Sequence, residues 1–334
     1  MTKLLSLSIF LTSLFLLSCN QASEQAAEAA NEVAEVASAT VDEVTRSSSF
    51  KISLAQWSLN KAYRSGEMNP YKFATHAKEL GFTGVEYVNQ LYADDIKEGK
   101  AHEGSIKKLF AQLDKAANDA GITEVLIMID NEGSLGNTNE AERLKAVQNH
   151  KYYIDAASSS RIPTIRVNAA GEGSRKAVRA AAVQSLSELG AYAKTRKVNV
   201  VVENHGGYSS DPAWLASIMS SIHMTNVGIL PDFGNFCRTR DPRGWEFGCL
   251  DEVPLDSTYT AVGMWMPFAH AVSAKSNGFD ADGNETKIDY ARMMDTVLAH
   301  GYSGFVGVEF EGSDMTEKEG ILATKALLER QLPQ

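Results

Sequence analysis

The feature that most constrains the fold is an eightfold alternation of short apolar runs with longer helix-like stretches. Eight apolar runs predict strands: Ile52–Ser58, Gly84–Val88, Glu124–Asp130, Thr164–Asn168, Val198–Glu203, Val227–Asp232, Ala269–Lys275 and Phe305–Glu309. The intervening stretches predict helices: Tyr71–Leu80, Ser105–Ala120, Glu140–Ala157, Arg175–Lys194, Pro212–Ser221, Ser257–Met266, Tyr290–His300 and Glu317–Arg330. Strands that are apolar throughout are typical of parallel sheets covered by helices. The alternation therefore predicts an α/β fold, a (β/α)8 TIM barrel rather than a doubly wound sheet.

The ends of the predicted elements agree with this architecture. Gly81, Gly121 and Gly301 each follow a predicted helix, where glycine commonly provides the C-terminal cap. The sixth unit is the least regular, because residues 233–254 form a long insertion between its strand and its helix. Insertions of this length tend to be functional.

The first residues predict export rather than a part of the fold. Lys3 is followed by an apolar stretch from Leu4 to Leu17, and Leu16-Leu17-Ser18-Cys19 resembles a lipobox, whose cysteine is lipidated. We interpret residues 1–19 as a lipoprotein signal peptide. A plain signal peptide or an anchor helix is the alternative, although a membrane span normally takes about 20 apolar residues.

Residues 20–49 contain no aromatic residue and are rich in Ala, Glu, Ser and Thr. Such a composition cannot bury enough apolar surface to fold independently, so we interpret the segment as a flexible tether. Residues 50–334 are long enough for one barrel domain of about 250 residues or more. The expected product is a membrane-anchored lipoprotein that faces the periplasm or the cell surface.

Net charge and cysteine content exclude two kinds of site. A formal net charge of -10 disfavours nucleic acid as a partner, because phosphate binding requires a basic face. Apart from Cys19, only Cys237 and Cys249 remain, without the paired ligands of a zinc site. In an oxidising compartment we expect these two to form a disulfide across the insertion. Two separate free thiols are the alternative.

Three strand candidates toward the C-terminus end on an acid: Glu203, Asp232 and Glu309. A buried carboxylate needs a partner or a metal, so an apolar run that stops on an acid indicates that the strand end opens into a site. The C-terminal ends of barrel strands converge at one mouth. The three acids therefore predict a carboxylate cluster at that mouth.

Alternation of side chains along a strand adds further residues to the same cavity. Residues of matching parity that we expect to contact a substrate are Glu86, Arg166, Asn168 and His205. The alternative is that several of them are surface residues at strand ends, with their polar groups satisfied by loop amides.

Four segments resemble one known family: VVENHGG from Val201, LPDFGN from Leu230, AVSAKS from Ala271 and GVEFEG from Gly307. They look like the xylose isomerase-like TIM barrels of sugar phosphate isomerases and epimerases. The resemblance implies a divalent cation (Mn²⁺, Mg²⁺, Co²⁺ or Zn²⁺) held by Glu203, Asp232 and Glu309. It also implies that Glu203 and Glu309 are the acid/base pair.

The seventh strand departs from the family pattern. The family's metal-binding histidine corresponds to Ser273 here, and His270 has the opposite parity and is expected to point away from the cavity. Lys275 has the parity of Ser273, so we expect it to supply a catalytic positive charge. Asn235 lies where relatives often carry a substrate-contacting histidine, and we expect its amide to bind substrate.

These residues predict an isomerase or epimerase-type enzyme that removes a proton next to the carbonyl of a small carbohydrate. Because the chain is expected to be exported, an unphosphorylated keto-sugar or keto-glycoside is the expected substrate. Two alternatives remain open: a keto-glycoside lyase that eliminates a leaving group with the same residues, and a non-catalytic sugar-binding lipoprotein.

Overall fold

The computed structural model describes residues 49–243 and 247–332. The predicted signal peptide, its Cys19 and all but the last residue of the predicted tether lie outside the described residues. In the part of the chain that the structure describes, no helix combines the length and apolarity needed to cross a membrane.

Eight parallel strands form the centre of the fold. The ten strands of the described chain are β1 (Lys51–Ala55), β2 (Gly84–Val88), β3 (Thr123–Met128), β4 (Thr164–Val167), β5 (Asn199–Glu203), β6 (Val227–Leu230), β7 (Cys237–Arg240), β8 (Cys249–Glu252), β9 (Val272–Ser276) and β10 (Phe305–Phe310). The sheet order is β6-β5-β4-β3-β2-β1-β10-β9. Parallel bridges Ile229–Ala269 and Asp232–Ser273 then join the β6 and β9 edges. The predicted (β/α)8 barrel is confirmed.

Nine α-helices are found in the described residues: α1 (Asn60–Arg64), α2 (Phe73–Glu79), α3 (His102–Ala120), α4 (Glu140–Ser158), α5 (Arg175–Lys194), α6 (Pro212–Ile222), α7 (Leu255–Trp265), α8 (Tyr290–Leu298) and α9 (Glu317–Glu329). Side chains cap several N-termini, as with Asn139 on α4 and the capping box of Thr316 and Glu319 on α9. Gly121 ends α3 in the left-handed conformation, as its position predicted.

Side-chain parity divides the apolar residues into two cores. One core lies between the strands and the helices and includes Leu54, Val85 and Ile127. The other is a separate cluster of residues with the opposite parity: Ala55, Val88, Leu126, Met128, Val201, Leu230 and Ala271. Since Glu203 and Asp232 share the parity of this second cluster, their side chains belong to the barrel interior.

Two elements differ from the prediction. The first strand ends at Ala55, and Gln56–Leu59 forms a 3₁₀ turn. The side-chain amide of Gln56 is buried and donates to the Tyr92 hydroxyl at 2.7 Å. The insertion after β6 is partly regular, because β7 and β8 pair antiparallel within it. A disulfide joins Cys237 to Cys249 across this hairpin, as the sequence predicted, with 5.7 Å between the Cα atoms.

Candidate active site

Three buried carboxylates meet at the C-terminal end of the barrel. Glu203 ends β5, Asp232 follows β6 and Glu309 lies near the end of β10; none is more than 4% exposed. Each offers one oxygen, and the three oxygens lie within 4.8 Å of one another. The structure thus brings together the three strand-end acids selected from the sequence. Their arrangement could hold a metal ion.

The seventh barrel strand, β9, supplies a hydroxyl and a cation to this group. Ser273 Oγ lies 2.7 Å from Oδ2 of Asp232 and 3.0 Å from Oε2 of Glu309. Lys275 Nζ lies 3.8 Å from the same oxygen of Asp232 and 3.5 Å from that of Glu309. Gly234 makes room for this lysine, because a Cβ there would approach Lys275 Cδ to 2.9 Å. The hydroxyl and the ammonium group therefore occupy the β9 side of the cluster, where the resemblance implied a histidine.

An arginine holds the opposite side of the cluster. Arg166 on β4 has its Nε 2.8 Å from Oε2 of Glu203. Its Nη1 and Nη2 donate to the two carboxylate oxygens of Asp130 at 2.7 and 3.3 Å. A planar guanidinium suits such two-sided pairing better than an ammonium group. Asp130, which follows β3, therefore holds the guanidinium of Arg166 in place beside Glu203.

The turn after β6 positions Asp232 and Asn235. Asp232 Oδ1 accepts hydrogen bonds from the backbone N–H groups of Gly234 and Asn235, both at 2.8 Å. The Asn235 side chain then donates to Glu203 Oε1 at 2.9 Å, and its oxygen lies 3.3 Å from Lys275 Nζ. Asn235 thus links the arginine side of the cluster to the lysine side. This contact with Glu203 was not predicted from the sequence.

Burial raises the pKa of all three clustered acids. The pKa of Glu203 rises to about 7, that of Asp232 to about 6 and that of Glu309 to about 7. Removal from water is the main cause. Arg166 opposes it at Glu203, and Lys275 opposes it at the other two. Because burial still outweighs the two cations, binding of a further positive charge would stabilise the ionised form of these carboxylates.

The other charged groups of the cluster stay ionised. Burial opposes ionisation of Asp130, but the guanidinium of Arg166 outweighs it and lowers the pKa of Asp130. Burial alone would also lower the pKa of Lys275, yet Asp232 and Glu309 raise it well above its usual value. Five carboxylates, counting Asp130 and Glu311, therefore face two fixed cations.

A cavity of about 390 Å³ opens above the cluster. The predicted residues Arg166, His205, Asn235, Lys275 and Glu309 line it. His205 is exposed at its rim, so its imidazole is free to contact a ligand. His270 is exposed and does not line this cavity, as its parity predicted.

Asn168, also predicted to bind substrate, is half-buried behind Asp130. It donates to Asp130 Oδ1 at 2.7 Å. The side chain of Asn168 does not line the cavity, so the structure gives it a contact with the carboxylate that holds Arg166. Asn168 therefore supports Asp130, and its contact with a substrate stays a prediction.

Glu86, also predicted to bind substrate, is buried deeper than the residues that line the cavity. It faces the barrel interior as expected, but it is 0% exposed and does not line the cavity. Its carboxyl accepts a hydrogen bond from Ser53 at 2.5 Å and occupies space beside Gly307, where a Cβ would approach its Oε1 to 2.5 Å. Burial raises its pKa to about 8. Glu86 is therefore a neutral interior group beside Gly307, and its contact with a substrate stays a prediction.

Sequence reasoning missed three residues of the site. Asp130 follows β3 as the clustered acids follow their strands, so the same signal was present. Glu311 lies just beyond β10 and contacts Lys275 Nζ at 3.2 Å. Arg240 reaches the cavity from the hairpin, where no periodic signal marks it.

A family model described as the xylose isomerase-like TIM barrel matches residues 74–331. That match spans most of the chain and includes all three clustered acids. The chain belongs to the xylose isomerase-like TIM barrel family. A comparison with curated proteins found no match.

Solved structures share the fold of this chain and resemble it weakly in sequence. An apo 3-keto-D-glucoside 4-epimerase from E. coli has 15% identity and a TM-score of 0.58, over 84% of this chain and 99% of that chain. A D-psicose 3-epimerase solved in the presence of D-fructose has 12% identity and a TM-score of 0.61, over 85% and 100%. A family protein from Mycobacterium smegmatis in complex with magnesium has 17% identity and a TM-score of 0.55, over 78% and 87%. At these identities the likeness shows the fold.

The donor set of the cluster suits a hard divalent cation. Three carboxylates and the Ser273 hydroxyl offer only oxygen atoms, which Mg²⁺ and Mn²⁺ prefer to the softer ligands. The excess of carboxylates over fixed cations gives the site the charge to hold one. The residues therefore fit a metal centre, although the family's histidine ligand is replaced.

Proposed function

We propose that the protein is a metal-assisted carbohydrate isomerase or epimerase. In this proposal it removes a proton next to the carbonyl of an unphosphorylated keto-sugar or keto-glycoside. The observation that carries the proposal is the placement of Glu203 and Glu309, which lie on strands three positions apart around a barrel of eight. Their carboxylates meet in one buried cluster, and Glu309 lines a cavity the size of a small ligand above it.

Two opposed carboxylates suit proton transfer at a carbon next to a carbonyl. One carboxylate takes the proton, and the other returns a proton to the opposite face or to the neighbouring carbon. Arg166 and Asn235 hold Glu203 from two sides, and Ser273 holds Glu309, so both bases are fixed before substrate binds. In this proposal Lys275, which lines the cavity 3.5 Å from Glu309 Oε2, stabilises the negative charge that develops on the substrate oxygens.

Glu203, Asp232 and Glu309 would hold the metal in this proposal, and Mg²⁺ and Mn²⁺ suit their oxygen atoms best. Such a cation polarises the carbonyl oxygen of a bound substrate and stabilises the negative charge that proton removal creates. The magnesium complex of the mycobacterial relative supports this assignment. The names of the two epimerase relatives support a keto-sugar as the substrate class.

Solvent exchange tests the proposed reaction directly. The purified protein, supplied with Mn²⁺ or Mg²⁺, would be incubated in deuterated water with D-fructose and with methyl 3-keto-glucopyranoside. We expect NMR to show deuterium at a carbon next to the carbonyl, together with an epimer or isomer. Release of methanol without an epimer would assign the lyase reaction instead. Binding of the sugars without any exchange would assign a sugar-binding protein.

We also propose that the protein is an exported lipoprotein, anchored through Cys19 and facing the periplasm or the cell surface. The support is the Leu16-Leu17-Ser18-Cys19 sequence and the composition of residues 20–49. A Cys19→Ala variant should leave the membrane fraction or remain unprocessed. Unchanged processing and unchanged membrane partition of that variant would contradict the anchor.

A further inference from the structure

A second cavity adjoins the mouth of the barrel. It has a volume of about 720 Å³, against about 390 Å³ for the cavity above the carboxylates. Gln90 and Asp130 line both cavities, so the two cavities adjoin at these two side chains. We name it the side cavity; Glu132, His102, Lys145, Asn149 and Tyr152 form part of its wall. Small-ligand sites typically have volumes of about 300 to 1,000 Å³, so each cavity is large enough for a ring-sized group.

The wall of the side cavity suits a neutral polyhydroxylated ligand. Carboxylates outnumber cations on it, because Glu98, Glu132 and Glu142 accompany Lys145. This charge disfavours phosphate or carboxylate groups on the ligand. Carboxylates accept hydrogen bonds from hydroxyl groups, and the half-buried ring of Tyr152 offers an apolar face with a polar tip.

Hydrogen bonds hold this wall in place and connect it to the active site. His102 donates from Nδ1 to the Lys97 carbonyl at 2.8 Å, and its Nε2 lies 3.0 Å from Oε2 of Glu132. The other oxygen of Glu132, a residue only 8% exposed, accepts from Tyr153 at 2.6 Å. Asn89 donates to the Tyr153 hydroxyl at 3.0 Å and exchanges hydrogen bonds with the backbone of Asp130.

Asp130 is also the carboxylate that pairs with Arg166, the arginine beside Glu203. The two cavities therefore share one connected wall whose polar groups are already ordered. Such a preformed wall lowers the entropic cost of ligand binding.

We infer that the side cavity binds the second ring of a neutral keto-glycoside, with the oxidised ring held above Glu203 and Glu309. The substrate is then a glycoside of disaccharide size. This inference rests on the proposed function, and it adds the substrate's size and the place of its second ring. The side cavity provides the space that a free monosaccharide would leave empty.

Calorimetric titration of the metal-supplied protein with unreactive glucosides tests the inference. Cellobiose would be compared with methyl β-D-glucopyranoside, and maltose with methyl α-D-glucopyranoside, so that each pair differs only in the second ring. We expect at least one disaccharide to bind ten or more times more tightly than its methyl glucoside. Equal or weaker binding of both disaccharides would overturn the inference.

Two variants test whether the second ring binds in the side cavity. Tyr152→Ala removes the aromatic face, and Ala93→Trp fills the cavity from its exposed rim without shortening any wall residue. Each should reduce the disaccharide preference at least fivefold and leave the affinity for the methyl glucoside unchanged. Tyr192→Ala, on α5 and outside both cavities, is the matched control and should keep the preference. A preference that survives Ala93→Trp in full would overturn the assignment.

The binding assay tests this inference, and the exchange assay tests the proposed function independently of it. Solvent exchange into a free keto-sugar without any disaccharide preference would retain the proposed function and overturn this inference. A disaccharide preference that the Ala93→Trp variant loses, in a protein that catalyses no exchange, would support the side cavity as a glycoside site and contradict the proposed reaction.

Discussion

Glu86 should make the stability of the barrel depend on pH in a defined direction. Its folded pKa is about 8, against a usual value of 4.5, because burial below the active site disfavours its ionised form. Unfolding exposes the carboxyl, which then releases its proton at any pH above 4.5. The stability that the folded state gains from the proton on Glu86 is therefore fully present below pH 4.5 and is lost as the pH rises toward 8.

The magnitude follows from the size of the shift. One pKa unit corresponds to about 1.4 kcal/mol, so the free energy of unfolding should fall by on the order of 3 kcal/mol between pH 5 and pH 8 through this group alone. Glu86→Gln keeps a neutral side chain of the same shape and removes the titration. The stability of the variant relative to the wild type should therefore increase by that amount across the same range.

Urea denaturation at constant ionic strength, with a chelator present, measures this difference at pH 5, 6, 7 and 8. Taking the difference between variant and wild type cancels the titration of all other groups that the substitution leaves unchanged. Glu67→Gln, at an exposed position, is the matched control and should follow the wild type at every pH. A Glu86→Gln difference that stays constant from pH 5 to pH 8 would refute the neutral buried carboxyl.

Three further predictions concern the site and the hairpin. Glu309→Gln should slow solvent exchange on the order of a hundredfold by NMR, since an amide cannot take the proton, whereas Glu329→Gln on α9 should keep the full rate. Arg166→Met should reduce the free energy of unfolding by roughly 3–5 kcal/mol in urea, because it leaves two buried carboxylates without their cation. Removing the Cys237–Cys249 disulfide by reduction should cost at most about 3 kcal/mol, and alkylation with mass analysis should detect two thiols only after reductant is added.

The strand-end acids could be predicted from the sequence because two simple rules determine them. Alternation along a strand places Glu203 and Asp232 on the same face as Val201 and Leu230, which the structure finds in the inner core. Parallel strands of a barrel end at one mouth, so acids at those ends meet there. Both rules are local, and neither requires the register between strands.

The height of a side chain inside the barrel could not be predicted in this way. Glu86 has the inward parity, but strand register sets its level: Ser53 pairs with Gly307 on one side of β1, and Ala55 pairs with Glu86 on the other. This stagger places the carboxyl of Glu86 beside Gly307, below Glu309. The alternation of side chains therefore identified the strand face of Glu86 but not its depth in the barrel.

The partners of Arg166 illustrate the same limit. Asp130 follows its strand as the clustered acids follow theirs, yet the pairing depends on the register in which Met128 lies beside Arg166. Only that alignment brings the guanidinium between Asp130 and Glu203. The position of Arg240 depends on the antiparallel hairpin of the insertion, whose fold the barrel repeat does not specify.

The exchange of the family's histidine for Ser273 has a physical consequence that Lys275 makes clear. The Ser273 hydroxyl lies within hydrogen-bond distance of both Asp232 and Glu309. Lys275 then places a permanent positive charge within 4 Å of the same two oxygens. The cluster is therefore held together from within the chain, and a metal ion that enters it must share those oxygens with an ammonium group.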